Sequence, residues 1–267
     1  MGSIQRWFMA FVVAVGLGIL SAGAQSKTMV RGAGGQAQPA SAEQLFALAN
    51  DVRTRSGLGR LQWDPALAAA AMKHCQRMTV EGPISHRYAG EPELTARAAD
   101  AGARFGLIEE NIAVGDYPST IHSGWMNSPP HRENLLNRDV DHVGIAVVAS
   151  RGVLFAVADY SRAVPMLEAN QVEKSVAALI GVSGVTIRKD PRDARAACAT
   201  DKGMPGGLAG GDPRLVMRWE DSDLSHLPQG LASRLASGEY RQAAVGSCPA
   251  RNVKGAFSSY RVAVLLY

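Results

Sequence analysis

Trp125-Met126-Asn127-Ser128-Pro129-Pro130-His131-Arg132-Glu133-Asn134-Leu135-Leu136 is the most informative stretch of this 267-residue chain. Taken with Ser85-His86 and Glu110-Asn111-Ile112 upstream, it sets three ionisable side chains, His86, Glu110 and His131, at joints between apolar segments. A fold can expose side chains so placed in a cleft. Neutral imidazole and carboxylate together suit a divalent cation such as zinc, with water in an open position. They equally suit an acid/base pair near neutral pH. The three residues are 24 and 21 positions apart, unlike the HExxH pattern in which one helical turn presents both ligands. Their convergence has to come from tertiary structure.

Helical periodicity precedes the stretch. Ser41 and Gln44 have capping-box spacing, and Leu45, Leu48, Ala49 and Val52 follow on one face until Ser56-Gly57. Asp64-Pro65 reads as the N-cap and first-turn proline of a second helix, with Leu67, Ala70, Ala71, His74, Cys75 and Met78 at helical spacing to about Thr79. His74 falls on its apolar face, as a core or boundary histidine. Further helices are predicted over Pro92–Arg104 and Ser119–Met126, and Glu133 and Asn134 continue from His131 on a short one. A hairpin is predicted over Val143–Ala149 and Val153–Asp159, around Ser150-Arg151-Gly152. A boundary near residue 164 then divides residues 41–163 from a small mixed α and β module over 164–267. In that module a helix is predicted over 167–180, strands over 185–188, 215–219, 243–247 and 260–267, a short helix over 227–235, and a glycine-rich loop over 202–211. The strongly apolar last strand is expected to be central in its sheet.

Residues 1–24 read as a secretory signal: Arg6, an apolar run from Trp7 to Leu20, and Ala22-Gly23-Ala24 as a cleavage site. A linker rich in Gly, Ala, Gln and Ser follows over 25–40. The apolar run is shorter than the roughly 18 to 20 residues of a membrane span. The mature protein is therefore expected to be secreted or periplasmic and not an integral membrane protein. Without residues 1–24 the chain carries 27 Lys+Arg against 24 Asp+Glu. Its basic residues are scattered singly, which argues against a nucleic-acid partner. Three cysteines in an oxidising compartment give one pair and one left over. Cys198 and Cys248 are the economical pair, a bridge contributing about 4 kcal/mol, and Cys75 is expected to be a buried free thiol.

Asn50-Asp51-Val52-Arg53, Leu61-Gln62-Trp63-Asp64 with Leu67 and Ala71, Ser85-His86, Arg97 with Gly102 beyond it, Glu110-Asn111-Ile112, the Trp125–Leu136 stretch and Val143-Gly144-Ile145-Ala146 occur in that order. In order and local text, residues from about Ser41 to Ser161 resemble the CAP or SCP domain of cysteine-rich secretory proteins, antigen 5 and pathogenesis-related 1, in its bacterial extracellular branch. The resemblance implies an α+β fold, an α-β-α sandwich with helices on both faces of a small antiparallel sheet, followed here by the C-terminal module. It also implies a central cleft with two histidines and two glutamates, the histidines binding zinc or another divalent cation in some members. His86 and His131 match the histidines, and Glu110 matches the glutamate before asparagine. Where animal and plant members often carry the second glutamate, three residues after the tryptophan, this chain has Ser128, and Glu109 and Pro130 stand where glycines are usual. The implied metal site is His86 and His131 as direct ligands, with Glu110 accepting a hydrogen bond from metal-bound water. Asn111, Ser128 and Trp125 support the cleft.

Members of that family include lipid and sterol binders, toxins, secreted immune modulators and proposed proteases. The resemblance therefore implies first an exported, non-enzymatic binding module, its cleft holding a metal and an adjacent groove taking a hydrophobic small molecule, a lipid or a cell-envelope component. A zinc-assisted hydrolase with Glu110 as general base is the alternative. A third reading is a hydrogen-bond cluster that only orients the loops. Serine and thiol hydrolysis are disfavoured, because no Gly-x-Ser-x-Gly occurs and Cys75 lies inside a helix.

Overall fold

The computed structural model describes residues 35–203, 206–251 and 257–267; the signal expected over 1–24 lies outside them. At the centre of the first sheet are β4 (His142–Ser150) and β5 (Val153–Ala163), paired antiparallel down to Ser150 opposite Val153. The two residues between them, Arg151 and Gly152, have φ of 54° and 81°, the left-handed pair that matches a tight hairpin to the strand twist. Arg151 is held there because its Nη2 donates to the Thr79 carbonyl at 2.6 Å. β3 (Phe105–Gly115) pairs with the other side of β5 and is an outer strand. At the opposite edge β1 (Gln36–Ala37) and β2 (Gln62–Trp63) pair with the two ends of β4.

Helices cover both faces. α1 (Pro39–Arg55), α4 (Pro118–Asn127) and α5 (Pro129–Leu136) pack Leu45, Ala49, Ile121, Trp125 and Leu135 against Val143, Ile145, Val147 and Tyr160. α2 (Pro65–Glu81) packs Ala71, Cys75 and Met78 on Ile112, Val148 and Val157. α3 (Leu94–Asp100) adds Ala98 to Leu67, Ala103 and Phe105 on that same side. This is the α-β-α sandwich expected. α2 starts as predicted, with Pro65 in its first turn and Asp64 Oδ1 accepting from the amides of Ala66 and Leu67 at 2.7 and 3.1 Å. It lies directly on the sheet: a Cβ at Gly144 would stand 2.0 Å from Ala68 N and 2.3 Å from the Leu67 carbonyl carbon.

α1 carries two buried polar residues that organise the loops around it. Asn50 pairs with Leu61 through its own amide, giving to the carbonyl at 3.1 Å and accepting from the N–H at 2.6 Å. Arg53, only 1% exposed, donates to the carbonyls of Gly59, Leu135, Asn137 and Val140 at 2.7 to 3.1 Å. Those of Leu135 and Asn137 belong to the C-terminal end of α5, where carbonyls lack intrahelical partners and a cation is favourable.

The second sheet follows α6 (Ala169–Gly181) and has the order β6 (Thr186–Ile187), β8 (Gln242–Cys248), β9 (Tyr260–Leu266), β7 (Leu215–Asp221). The apolar last strand is thus interior. α6 and α8 (Gln229–Ala236) cover one face with Val172, Val176, Ile180, Leu231 and Leu235. α7 (Arg192–Ala199) covers the other, so closely that a Cβ at Gly246 would lie 2.2 Å from Arg195 N. The Cys198–Cys248 disulfide ties α7 to the end of β8 with Cα atoms 5.8 Å apart. Hydrogen bonds from Val164 N to Arg104 O, Ser258 N to Phe105 O and Arg162 Nη2 to Ser222 Oγ join this half to the first.

Several boundaries differ from expectation. The linker expected over 25–40 ends earlier, since Gln36–Ala37 already pair with Val148–Ala149. The Ser41/Gln44 capping box is unused: α1 begins at Pro39, which sets the first turn and leaves both residues inside the helix. α3 stops at Asp100, short of the expected Arg104, because Gly102, at φ 94°, turns the chain there. β3 was not predicted, its alternation broken by Glu109-Glu110-Asn111, nor was α7, whose buried positions are Ala194, Ala197 and Cys198.

Two substitutions test these contacts by urea unfolding. Gly144→Ala must push α2 off the sheet and is expected to cost about 3 kcal/mol. Arg53→Ala leaves four carbonyls at the α1–α5 junction without their donor, with an expected loss of about 3 kcal/mol. Changes below a few tenths of a kcal/mol would show that neither contact matters.

Candidate active or binding cleft

The outer edge of β3 is closed by side chains of the Trp125–Leu136 stretch. Trp125 Nε1 donates to the Ile112 carbonyl at 3.2 Å, and Asn134 Nδ2 to the Glu110 carbonyl at 3.2 Å. Exposed strand edges need such covering. Asn134 also donates to Asn111 Oδ1 at 3.0 Å, while Asn111 Nδ2 holds the His131 carbonyl at 2.8 Å. His131, in the first turn of α5, is therefore fixed to the strand that carries Glu110. Ser128 is the joint between α4 and α5; its amide donates to Gly124 and Trp125 carbonyls, and its side chain makes no capping bond.

His86 comes from the irregular segment between α2 and α3. That segment is pinned inside the domain by Glu91, which meets His74 Nδ1 at 2.8 Å and accepts from Tyr88 N at 3.0 Å; His74 and Glu91 are both buried. Arg97 Nη1 donates to the His86 carbonyl at 3.0 Å. The imidazole lies at the surface, its side chain 58% exposed, with Nδ1 2.8 Å from Glu110 Oε1. Glu110 itself is 4% exposed, and its other oxygen accepts from Arg97 Nη2. The pairing of Nδ1 with a carboxylate leaves His86 Nε2 as the ring nitrogen turned away from Glu110.

The structure thus brings His86 and Glu110 into contact and sets His131 nearby. Burial, and then the neighbouring His86 charge, lower the pKa of His131. Among the described residues no three His, Cys, Asp or Glu side chains stand where they could jointly hold an ion. Two imidazoles are the donors on offer, with Glu110 behind one of them. A carboxylate that accepts from a ligating histidine is a common outer partner in metal sites, and Glu110 holds that place behind His86.

The residue that sequence reasoning missed is Asp159. It stands opposite Glu110 in the β3–β5 register, is fully buried, and has no hydrogen bond on either carboxyl oxygen. Burial first, and the Glu110 charge second, raise its pKa well above the usual carboxylate range, against the pull of Arg97. Period-two alternation from Phe155 and Val157 is the signal that places it on their buried face. Glu109 points to the other face, where Asn137 Nδ2 reaches its Oε1 at 2.9 Å and burial raises its pKa. A pocket of about 440 Å³ opens there beside Arg132, Glu133 and Leu136. Cys75 is buried, gives its Sγ–H to the Phe155 carbonyl at 3.1 Å, and is pushed by burial to a pKa of about 12, which removes it as a nucleophile. A cavity of about 880 Å³ lies away from all these groups, lined in part by Arg104, Met166 and Tyr260.

Asp159 carries a stability prediction. With its folded-state pKa above the unfolded value, the folded chain holds an extra proton between the two, so stability falls as pH rises through that window. Asp159→Asn is expected to raise Tm by a few degrees at neutral pH and to change it little at acid pH, flattening the profile measured by calorimetry. A variant less stable than the parent at neutral pH would contradict this.

Residues 46–160 match the profile of the Cysteine-rich secretory protein family, CAP. The chain is 35% identical over 112 residues to the uncharacterized membrane protein YlbC and 30% identical over 112 residues to the uncharacterized protein YkwD, both of Bacillus subtilis strain 168. These matches cover 41% and 42% of this chain but only 32% and 44% of the relatives. A solved extracellular protein containing an SCP domain from Bacillus anthracis is 30% identical over 47% of this chain and 41% of its own, with a TM-score of 0.43. Among the described residues no helix is long and apolar enough to cross a membrane. Residues 46–160 therefore carry a CAP-family domain, consistent with the bacterial branch of that superfamily.

Proposed function

We propose that this is an exported binding module whose cleft uses His86 and His131 to hold a divalent cation, zinc in the first instance, and not a hydrolase. The observation that carries this reading is the state of Glu110. A general base needs an oxygen free to take a proton from water within reach. Glu110 is buried, one oxygen engaged by His86 Nδ1 and the other by Arg97. It is built to orient an imidazole. His86 Nε2 and the His131 ring, its pKa lowered, would then supply two ring nitrogens, and bound zinc would contribute Lewis acidity at positions left to water or ligand.

Ile84 and Val80, exposed close to His86 in the chain, and Val114 and Tyr117, exposed at and just past the end of β3, provide apolar surface on the segments that carry His86 and Glu110. They support a hydrophobic small molecule, a lipid or a cell-envelope component as ligand, in keeping with export.

Zinc titration of the purified, chelator-treated chain by calorimetry tests the reading. Glu110→Gln is expected to weaken zinc about 10- to 100-fold, and the His86→Ala/His131→Ala double variant to abolish binding. Unchanged affinity in the double variant would remove the site. Hydrolytic turnover that disappears on chelation and returns with zinc would replace it by zinc-assisted hydrolysis with Glu110 as base.

A further inference from the structure

The sheet face that carries Glu110 holds four buried polar atoms without a hydrogen-bond partner: both carboxyl oxygens of Asp159, Nε of Arg97 and Oγ of Ser161. Unpartnered buried polar atoms are rare and call for an explanation. These four are not scattered. Asp159 is directly across from Glu110, Ser161 is two residues further along the same face of β5, and Arg97 already bonds the Glu110 carboxylate. The surroundings add no other charge from the strand beyond: β4 presents Gly144 opposite Asp159, and α2 lays only the backbone of Leu67 and Ala68 over that glycine. The groups acting on Asp159 are therefore Glu110 from β3 and Arg97 from α3, with His86 next in line through Glu110.

We propose that Asp159 is a positioning residue of the cleft, its carboxylic acid donating to the Glu110 carboxylate from inside the sheet and so aiming Glu110 at His86. A carboxylate has about four lone-pair sites, enough to accept from His86 Nδ1–H, Arg97 Nη2–H and Asp159 O–H together. Burial and the Glu110 charge keep the required proton on Asp159. Three donors fix the carboxylate against rotation, and the imidazole is then held as the Nδ1–H tautomer with Nε2 bare toward solvent. The inference rests on the reading of His86 as a working group of the cleft, and it needs no metal to be present.

The test is imidazole ¹⁵N NMR of the full chain without metal, with zinc affinity measured separately. In the parent and in Asp159→Asn, which keeps a donor, His86 is expected to be mainly the Nδ1–H tautomer. In Asp159→Val the population is expected to swing several-fold toward Nε2–H, the form that an unconstrained histidine side chain prefers. A folded Asp159→Val that keeps the parent tautomer overturns the proposal. So does a carboxyl ¹³C shift showing Asp159 ionised near neutral pH in the parent, a measurement that needs no variant to fold. A tautomer swing in a chain that binds no zinc upholds the role of Asp159 and removes the metal reading; zinc bound through the two histidines with no swing does the reverse.

Discussion

The open edge of β3 is the constraint on which the cleft depends. An outer strand with its carbonyls turned to water invites pairing with another chain, and here the Ile112 and Glu110 carbonyls are taken by the indole of Trp125 and the amide of Asn134. Covering the edge brings the joint between α4 and α5 against the strand, and that places His131. The same strand turns Glu110 toward α2 and α3, where His86 and Arg97 meet it. The two histidines therefore come from opposite layers of the sandwich, with β3 between them.

Arg53 makes this arrangement durable. Its guanidinium gathers four carbonyls from three segments, so the C-terminal end of α5, the turn after α1 and the approach to β4 share one donor. Desolvation lowers its pKa, while Tyr160 and Asp141 act the other way. A lysine could not span these acceptors, having a single nitrogen where the guanidinium presents a planar fork of donors.

Much of this was legible in the chain. The apolar spacing of α1, α2 and α6, the Asp64-Pro65 start and the Ser150-Arg151-Gly152 hairpin all rest on local rules, and the structure obeys them. The order of Ser85-His86, Glu110-Asn111 and the Trp125–Leu136 stretch pointed to the family and to the pairing partners His86 and Glu110. β3 was hidden because its polar residues serve the site on both faces, Glu110 on one and Glu109 with Asn111 on the other, so no single face is apolar throughout. Asp159 was hidden for a different reason: its partner is fixed by register across a strand pair, and no spacing along the chain reveals that. Arg97 and Arg53 stood in the recognised text, but the carbonyls they bind are defined only once the loops are folded.

The interior position of β9 has a consequence for the order of assembly. Among the described residues β7 pairs only with β9, and β8 pairs with the other side of β9. A growing or translocating chain would hold β7 unpaired through the whole interval until the last strand arrives, whereas the first sheet is complete once Ala163 has emerged. The two halves thus mature at different times, the domain that bears the cleft early and its companion late. During that interval the half-built second sheet is the part of the molecule most exposed to proteolysis and to pairing with a neighbour, and the Cys198–Cys248 bridge, whose second cysteine precedes β9, can close before the sheet does.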